Sequence, residues 1–378
     1  MKILHIIPNL KKGGAERLVI DIVRTLSLDP TLQVKLILLE NKIEYHVDDL
    51  SSLIEIVPAR VQLSVLKSNT YQINDLQMAI QKFDPEIIHT HLFEAEIISR
   101  SCSFQKAKWF SHAHDRMKSF NTFNFKQLTN KRQLTDYFER KYLFQRYKKN
   151  GGNQFVAISK DIESFLKSVL PIGLQTVHRL ENAIDAYRFK NQLLAQEKLF
   201  EKPYKLISVG RLDANKNHQF LLDCMKDFKD RGLQFHLTII GEGDQRGFLE
   251  NKINALNLQS EVTLAGVKEQ VEECLWESDL YVHSALSEGF GLTLIEAMAA
   301  GLPLVSLDGK GNRELIQNGF NGYLVEMNER TLFVEHIIEI VQDKTLYKSL
   351  SKNALRFSSK FDINQYIVKL LELYKRAN

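Results

Sequence analysis

The sequence predicts an α/β protein built from two doubly wound parallel-sheet domains in tandem. Three observations carry that expectation. At 378 residues the chain exceeds what one hydrophobic core usually organises. Through the first half, short β-rich runs alternate with helical patterns, the grammar of βαβ units and a parallel sheet. After a polar stretch near residues 180–203 the same grammar starts again.

In chain order, the first half offers strands at Lys2–Ile7, Val34–Leu39, Ile54–Val57, Ile87–Thr90, Lys108–Ser111 and Phe155–Ile158. Between the first two lies AERLVIDIVRTL, where Leu18, Ile22 and Leu26 recur at helical spacing. The boundary stretch, ENAIDAYRFKNQLLAQEKLFEKP, is polar and lacks a strand run. The second half offers strands at Tyr204–Val209, Phe235–Ile240, 262–266 (VTLAG), 280–284 (LYVHS) and 302–307 (LPLVSL). No short repeat, heptad pattern or low-complexity tract competes with this reading.

Composition narrows the class. Hydrophobic content of 44% with 25% charged residues is ordinary for a globular protein. Cys102, Cys224 and Cys274 lie far apart without CxxC spacing, which speaks against a zinc site or a disulfide framework and fits a reducing cytoplasm. The apolar run before Pro8 is too short for a signal peptide or a membrane span. The expectation is a cytoplasmic protein that at most rests on a membrane. Residues 1–190 hold 28 Lys+Arg against 20 Asp+Glu, whereas the remainder holds 22 against 26. A basic half joined to an acidic half suggests that the first meets something anionic.

In open parallel sheets ligands bind outside the carboxyl ends of the strands, so two such domains facing one another would form a central cleft lined by strand-end loops. The first strand ends in NLKKGGAERL, where Gly13 and Gly14 allow a tight turn directly before a helix. The first strand of the second half ends in VGRLDANKNH, with Arg211 at the strand end and Lys216 in the following loop. Two cations there could neutralise a diphosphate, or simply sit solvated at the surface. The segment LYVHSALSEGFGLTLIEAMAAG reads as strand, glycine loop and helix. Glu288 in that loop could accept hydrogen bonds from sugar hydroxyls, and Glu296 early in the helix could grip a ribose diol. Amides from Gly291 to Leu294, Thr293 among them, would meet a phosphate along the helix dipole. A structural alternative is a capping box, Thr293-x-x-Glu296, that merely closes the helix start.

These residues resemble the Glu-x7-Glu motif of the retaining GT-B glycosyltransferases of the family 4 type, the group 1 glycosyl transferases of bacterial polysaccharide biosynthesis. The resemblance continues in GGAE (13–16), SHAHD (111–115), VAIS (156–159), NAID (182–185), GRLDANKN (210–217), GEGD (241–244), AGLPLV (300–305) and NGFNGYLV (318–325). It implies an acceptor-binding domain over 1–185 and a nucleotide-sugar domain over 186–361, with the last helix, about 362–378, crossing back to the first. It further implies that Arg211 and Lys216 bind the donor diphosphate, Glu288 the transferred sugar and Glu296 the ribose. Phe290, Gly291 and Leu292 would add backbone contacts, Gly14 would let its loop close over the diphosphate, and Gly266 and Val267 would present backbone groups to the base. His114 matches a family histidine near the reacting sugar. His112 stands where the family has threonine, so either imidazole could face the cleft. Asn182-Ala183 departs from the family's Asn-Gly. The chain has no Asp-x-Asp triplet, which suits a fold in which protein cations replace a metal, so no metal and no cofactor is expected beside the nucleotide-sugar donor and a glycan or lipid-linked acceptor.

Residues 116–150 hold ten Lys+Arg against two acidic residues, with eight Phe and Tyr interleaved. One reading is a helix pair resting on an anionic membrane, which would suit a lipid-linked acceptor. The other is a helix of the first domain with Tyr137, Phe138 and Phe144 in the core. Nothing resembling an RRM, KH or zinc module accompanies the stretch, so nucleic acid is not an expected partner. Against the transferase stand a storage-glucan enzyme or an epimerase of the same fold, and a non-catalytic protein that retains the nucleotide site.

Overall fold

Strands buried on both faces need helices on both sides, and the chain supplies them in alternation. A computed structural model describes residues 1–64, 68–117, 120, 131–190 and 201–376. Residues 191–200 of the polar boundary, and 118–119 and 121–130 of the basic aromatic stretch, lie outside the described residues. The chain forms two compact units, one of Met1–Ala183 with Ile363–Asn378, the other of Ile184–Asp362.

Unit 1 runs β1 (Lys2–Ile7), α1 (Gly14–Leu26), β2 (Gln33–Leu38), β3 (Ile54–Ile56), β4 (Arg60–Gln62), β5 (Thr70–Gln72), α2 (Asn74–Phe83), β6 (Ile87–His91), α3 (Phe93–Ser101), β7 (Lys108–Ala113), α4 (Lys131–Asn150), β8 (Asn153–Ala157), α5 (Lys160–Val169) and β9 (Val177–Arg179). Its sheet has the parallel order β3-β2-β1-β6-β7-β8-β9, while β4 and β5 pair antiparallel on their own. Side chains alternate across the pleat, so β1 sends Ile3 and Ile7 to one core and Leu4 and Ile6 to the other.

The helix α4 packs on α3 through buried Leu143 and Tyr147. Tyr137 is instead 38% exposed, and Phe138 and Phe144 are only partly buried, so the core face of this helix differs from the one expected. Beneath it Arg100 and Glu96 form an ion pair of 2.8 Å with side chains 0% and 1% exposed. Asn153 and Ser111 accept from the remaining guanidinium nitrogens at 2.6 and 3.1 Å, which satisfies a charge that would otherwise be costly to bury.

Unit 2 runs α6 (Ala186–Phe189), β10 (Tyr204–Val209), α7 (His218–Asp230), β11 (Phe235–Ile240), α8 (Arg246–Ala255), β12 (Val262–Leu264), α9 (Val271–Trp276), β13 (Leu280–His283), α10 (Leu292–Ala299), β14 (Leu304–Leu307), β15 (Gly322–Val325), α11 (Arg330–Gln342) and α12 (Lys344–Ser358). Its parallel sheet has the order β12-β11-β10-β13-β14-β15. The direction of strand addition reverses between β10 and β13, which makes the loops after those two strands the switch-point loops. The two ends of the unit meet, with the Ile184 N–H donating to the Phe361 carbonyl at 2.9 Å. The chain then enters α13 (Ile363–Arg376), whose Tyr366, Ile367, Leu370 and Tyr374 belong to the core of unit 1 together with α1. Among the described residues no helix is long and apolar enough to cross a membrane.

Candidate functional site

At the switch point of unit 2, three loops are tied into one platform. After β10, Asp213 accepts from the Lys216 N–H at 2.9 Å, and Asn217 takes a left-handed conformation (φ 51°) as α7 begins. The loop after β13 is fastened to this turn. The Leu286 N–H donates to the Asn215 carbonyl, the Asn215 amide to the Ser287 carbonyl, and the Ser284 hydroxyl to the Lys216 carbonyl, each at 2.8 Å. From the third side, the Gly309 carbonyl accepts from the Glu288 N–H at 2.9 Å. A Cβ at Gly311 would stand 2.2 Å from the Glu288 carbonyl, so a bare backbone is required there.

This platform brings Lys216 and Glu288 together as an ion pair with side chains only 20% and 11% exposed. His283, at the end of β13, places Nε2 3.1 Å from the same oxygen, Glu288 Oε1. Burial alone would raise the Glu288 carboxyl, but the Lys216 charge and the His283 contact overcome it and bring the pKa down to about 2. The His283 imidazole is held below its ordinary value by burial, against the pull of Glu288. His218 is pushed down to about 4 by burial and by its neighbours His283 and Lys216. The site thus holds a fixed cation, a fixed anion and a neutral imidazole. Both protein contacts fall on Oε1, which leaves Oε2 to accept from hydroxyl donors of a ligand.

The helix start beside Glu288 is not a capping box. Gly291 is the N-cap, with φ 95°, and α10 begins at Leu292, so Thr293 already lies inside the helix. A residue with a Cβ would be strained at that φ, and the Cβ would meet Leu294 at 2.8 Å. The Leu294 N–H turns back to the Gly291 carbonyl at 3.0 Å, and the preceding amides form the positive end of the helix. Glu296 lies one turn into α10 and is half-buried. Phe290 is 2% exposed and packs edge-on against Phe361.

The remaining expected residues have surroundings of their own. The Arg211 guanidinium is 76% exposed and turns to Asp213 at 3.0 Å. Gly266, with φ +68°, accepts from the Gly241 N–H at 2.9 Å after β12, and Val267 beside it is 48% exposed. Gly14 opens α1 in unit 1, next to Gly13, whose backbone N–H and carbonyl both bond the Tyr45 hydroxyl. His112 and His114 occupy the same sheet face at the end of β7. His112 is buried and His114 half-buried, with Nε2 of His114 3.1 Å from Nδ1 of His91.

His283 escaped the sequence reading because, inside LYVHS, it reads as one polar residue of a buried strand. His5, His89 and His91 escaped it too. Their signal was alternation: HTH at 89–91 and HAH at 112–114 each place two imidazoles on one face.

With this geometry in view, relatives can be placed. Residues 189–357, which hold the whole platform, match the family described as Glycosyl transferases group 1. That match covers 169 of the 378 residues, and the two parallel-sheet units share the fold of GT-B glycosyltransferase structures. Similar proteins include the Escherichia coli UDP-Gal:alpha-D-GlcNAc-diphosphoundecaprenol alpha-1,3-galactosyltransferase, 28% identical over 211 residues, which cover 55% of this chain and 53% of that one. EpsF of Bacillus subtilis is 27% identical over 321 residues, covering 81% of this chain and 79% of its own. Among solved structures, Anabaena HepE in complex with UDP superposes with a TM-score of 0.77 at 19% identity over the full length of both chains. The match to the Escherichia coli enzyme spans about half of that relative's length.

Proposed function

We propose that this protein is a retaining, metal-independent glycosyltransferase acting at the cytoplasmic face of a bacterial membrane. It moves a sugar from a nucleotide-diphosphate donor to a hydroxyl of a glycan or lipid-linked acceptor in surface-polysaccharide synthesis. The observation that carries this reading is the Lys216–Glu288–His283 group at the switch point, beside the positive end of α10. Relatives support the donor class, since one is named for UDP-Gal and HepE has also been crystallised with UDP-glucose.

The donor diphosphate would sit at the α10 N-terminus, with Lys216 and a swung-out Arg211 meeting the charge that develops on the leaving group. Glu288 Oε2 would orient sugar hydroxyls, and Glu296 the ribose. The bond from the anomeric carbon to the β-phosphate oxygen breaks as the acceptor oxygen attacks from the same face, and the acceptor proton passes to the departing phosphate oxygen. His114 and Gly14 of unit 1 are assigned to sugar and diphosphate by resemblance, and the basic, aromatic composition of residues 116–150 supports contact with anionic lipid.

Thermal denaturation with UDP-sugars tests the donor site. Ligand at about 100 times its dissociation constant adds roughly 2.7 kcal/mol, a rise of about 5–10 °C for a unit of this size. Lys216→Ala should abolish that rise and Arg211→Ala should at least halve it, each against its own ligand-free midpoint. Chelator should leave the rise intact. Equal shifts in wild type and both variants would refute the site.

A further inference from the structure

Unit 1 carries a second concentration of chemistry, of which the proposed sugar transfer draws on His114 alone. Five imidazoles, His5 on β1, His89 and His91 on β6, and His112 and His114 at the end of β7, share one face of the sheet in an unbroken array. The array has an internal order. His5 Nδ1 lies 2.9 Å from His91 Nε2, His91 Nδ1 lies 3.1 Å from His114 Nε2, and His89 Nδ1 is bonded to the Tyr374 hydroxyl at 2.6 Å.

A buried polar nitrogen without a partner requires an explanation. This array has several: both ring nitrogens of His112, Nε2 of His5 and of His89, and Nδ1 of His114 have no hydrogen-bond partner among the described residues. His112 is only 1% exposed, so its nitrogens face the protein interior.

We propose that His91, His112 and His114 form a three-imidazole site for a zinc-type divalent cation, with the fourth position open. One ligand nitrogen from each residue lies within 4.8 Å of the other two. Two nitrogens bonded tetrahedrally to zinc at about 2.0–2.1 Å stand about 3.3 Å apart, and His91 Nδ1 and His114 Nε2 are already 3.1 Å apart. Rotation of the buried His112 ring completes the set. His5 supplies the outer support, because His91 bound through Nδ1 keeps its proton on Nε2 and donates it to His5 Nδ1. The other such triad among the described residues, His5, His89 and His91, is fully buried, and its His89 is already engaged by Tyr374. Only the chosen triad includes a half-buried member, His114, at the carboxyl end of the sheet, which provides a way in. Imidazole donors select zinc, cobalt, nickel or copper over magnesium. Three neutral ligands leave the ion's charge uncompensated in a buried place, so the fourth ligand is expected to be hydroxide or another anion.

The site is built from unit 1 residues, and metal binding is read separately from UDP binding. Full-length, tag-free protein is stripped with chelator, dialysed, and titrated with zinc by calorimetry and with cobalt by visible absorption. One equivalent of each should bind, and cobalt should develop the intense visible bands of a four-coordinate site. His114→Gln, at the half-buried position, should abolish those bands while circular dichroism stays as in wild type. His5→Phe should weaken zinc binding by about 10–100-fold. Absence of binding in wild type overturns the proposal, and so does binding that persists unchanged in folded His114→Gln, which would place the metal elsewhere.

Discussion

Glu288 shows how a single side chain is tuned by what surrounds it. Its carboxyl is held ionised far below ordinary pH, at about 2, because Lys216 and His283 outweigh the cost of burial. A depressed carboxylate contributes stability that is present above its unfolded value, near 4.5, and is lost as pH falls towards 2. Above pH 5 this group therefore contributes nothing to an acid limb, and any such limb in kcat/KM must come from another residue. Glu288→Gln retains the shape but leaves Lys216 without its anion. The expected outcome is a fall in kcat of about 10²–10³ with a folded protein by circular dichroism, and steady-state kinetics would check it. Lys216 and Glu288 could be named from the sequence as charges in strand-end loops, but not as partners in an ion pair, which depends on how the two loops are tied. His283 was not legible, since one imidazole within a buried strand looks the same whether or not it faces a carboxylate. Arg211 was legible as a strand-end cation, but its turn towards Asp213 depends on a loop conformation that spacing does not specify.

Among the elements, the central strands and the edge strands β3 and β12 were readable, while β4, β5, β9 and β15 were not. Lys2–Ile7, Tyr204–Val209 and Phe235–Ile240 were located to the residue, because a strand covered on both faces leaves a contiguous apolar run. The short β4, β5 and β9 contain Arg60, Gln72 and Arg179 and left no such signature. The face of α4 was misjudged for a related reason: with aromatics spread along the helix, contact with α3 decides that Leu143 and Tyr147 are buried. Two predictions belong here. Arg100→Ala would strand Glu96 in a dry interior and should cost about 3–5 kcal/mol, read as a lower denaturant midpoint for unit 1. The second concerns the histidine face of β1, β6 and β7. His5, His89, His91, His112 and His114 are all held below their ordinary value, first of all by burial. A base lowered in the folded state favours folding above its unfolded value and loses that advantage as pH drops below about 6.5, by roughly 1.4 kcal/mol per group per pH unit. Between pH 7 and 5, metal-free unit 1 should lose far more stability than unit 2. Resolved calorimetric transitions at the two pH values would check this, and parallel losses would contradict it.

At the level of the whole molecule, one unit is continuous in sequence and the other is not. Unit 2 starts and finishes at neighbouring points, Ile184 and Asp362, while unit 1 needs α13 from the far side of it. Removing residues 363–378 should take Tyr366, Leu370 and Tyr374 out of the unit 1 core. The truncated chain should lose the cooperative melting of unit 1 and keep UDP-dependent stabilisation of unit 2, which differential scanning calorimetry would resolve. The repeated strand grammar made both sheets legible, but the return of the last helix was suggested by resemblance and not by any local pattern. This chain order also bears on biosynthesis. The ribosome finishes the first sheet early, yet it withholds the closing helix until all of unit 2 has emerged. At about 5–20 residues per second, those roughly 180 residues take about 10–40 s. Throughout that interval the nascent amino-terminal sheet shows an uncovered greasy flank to the cell, while the later-made unit has every segment it needs to close first.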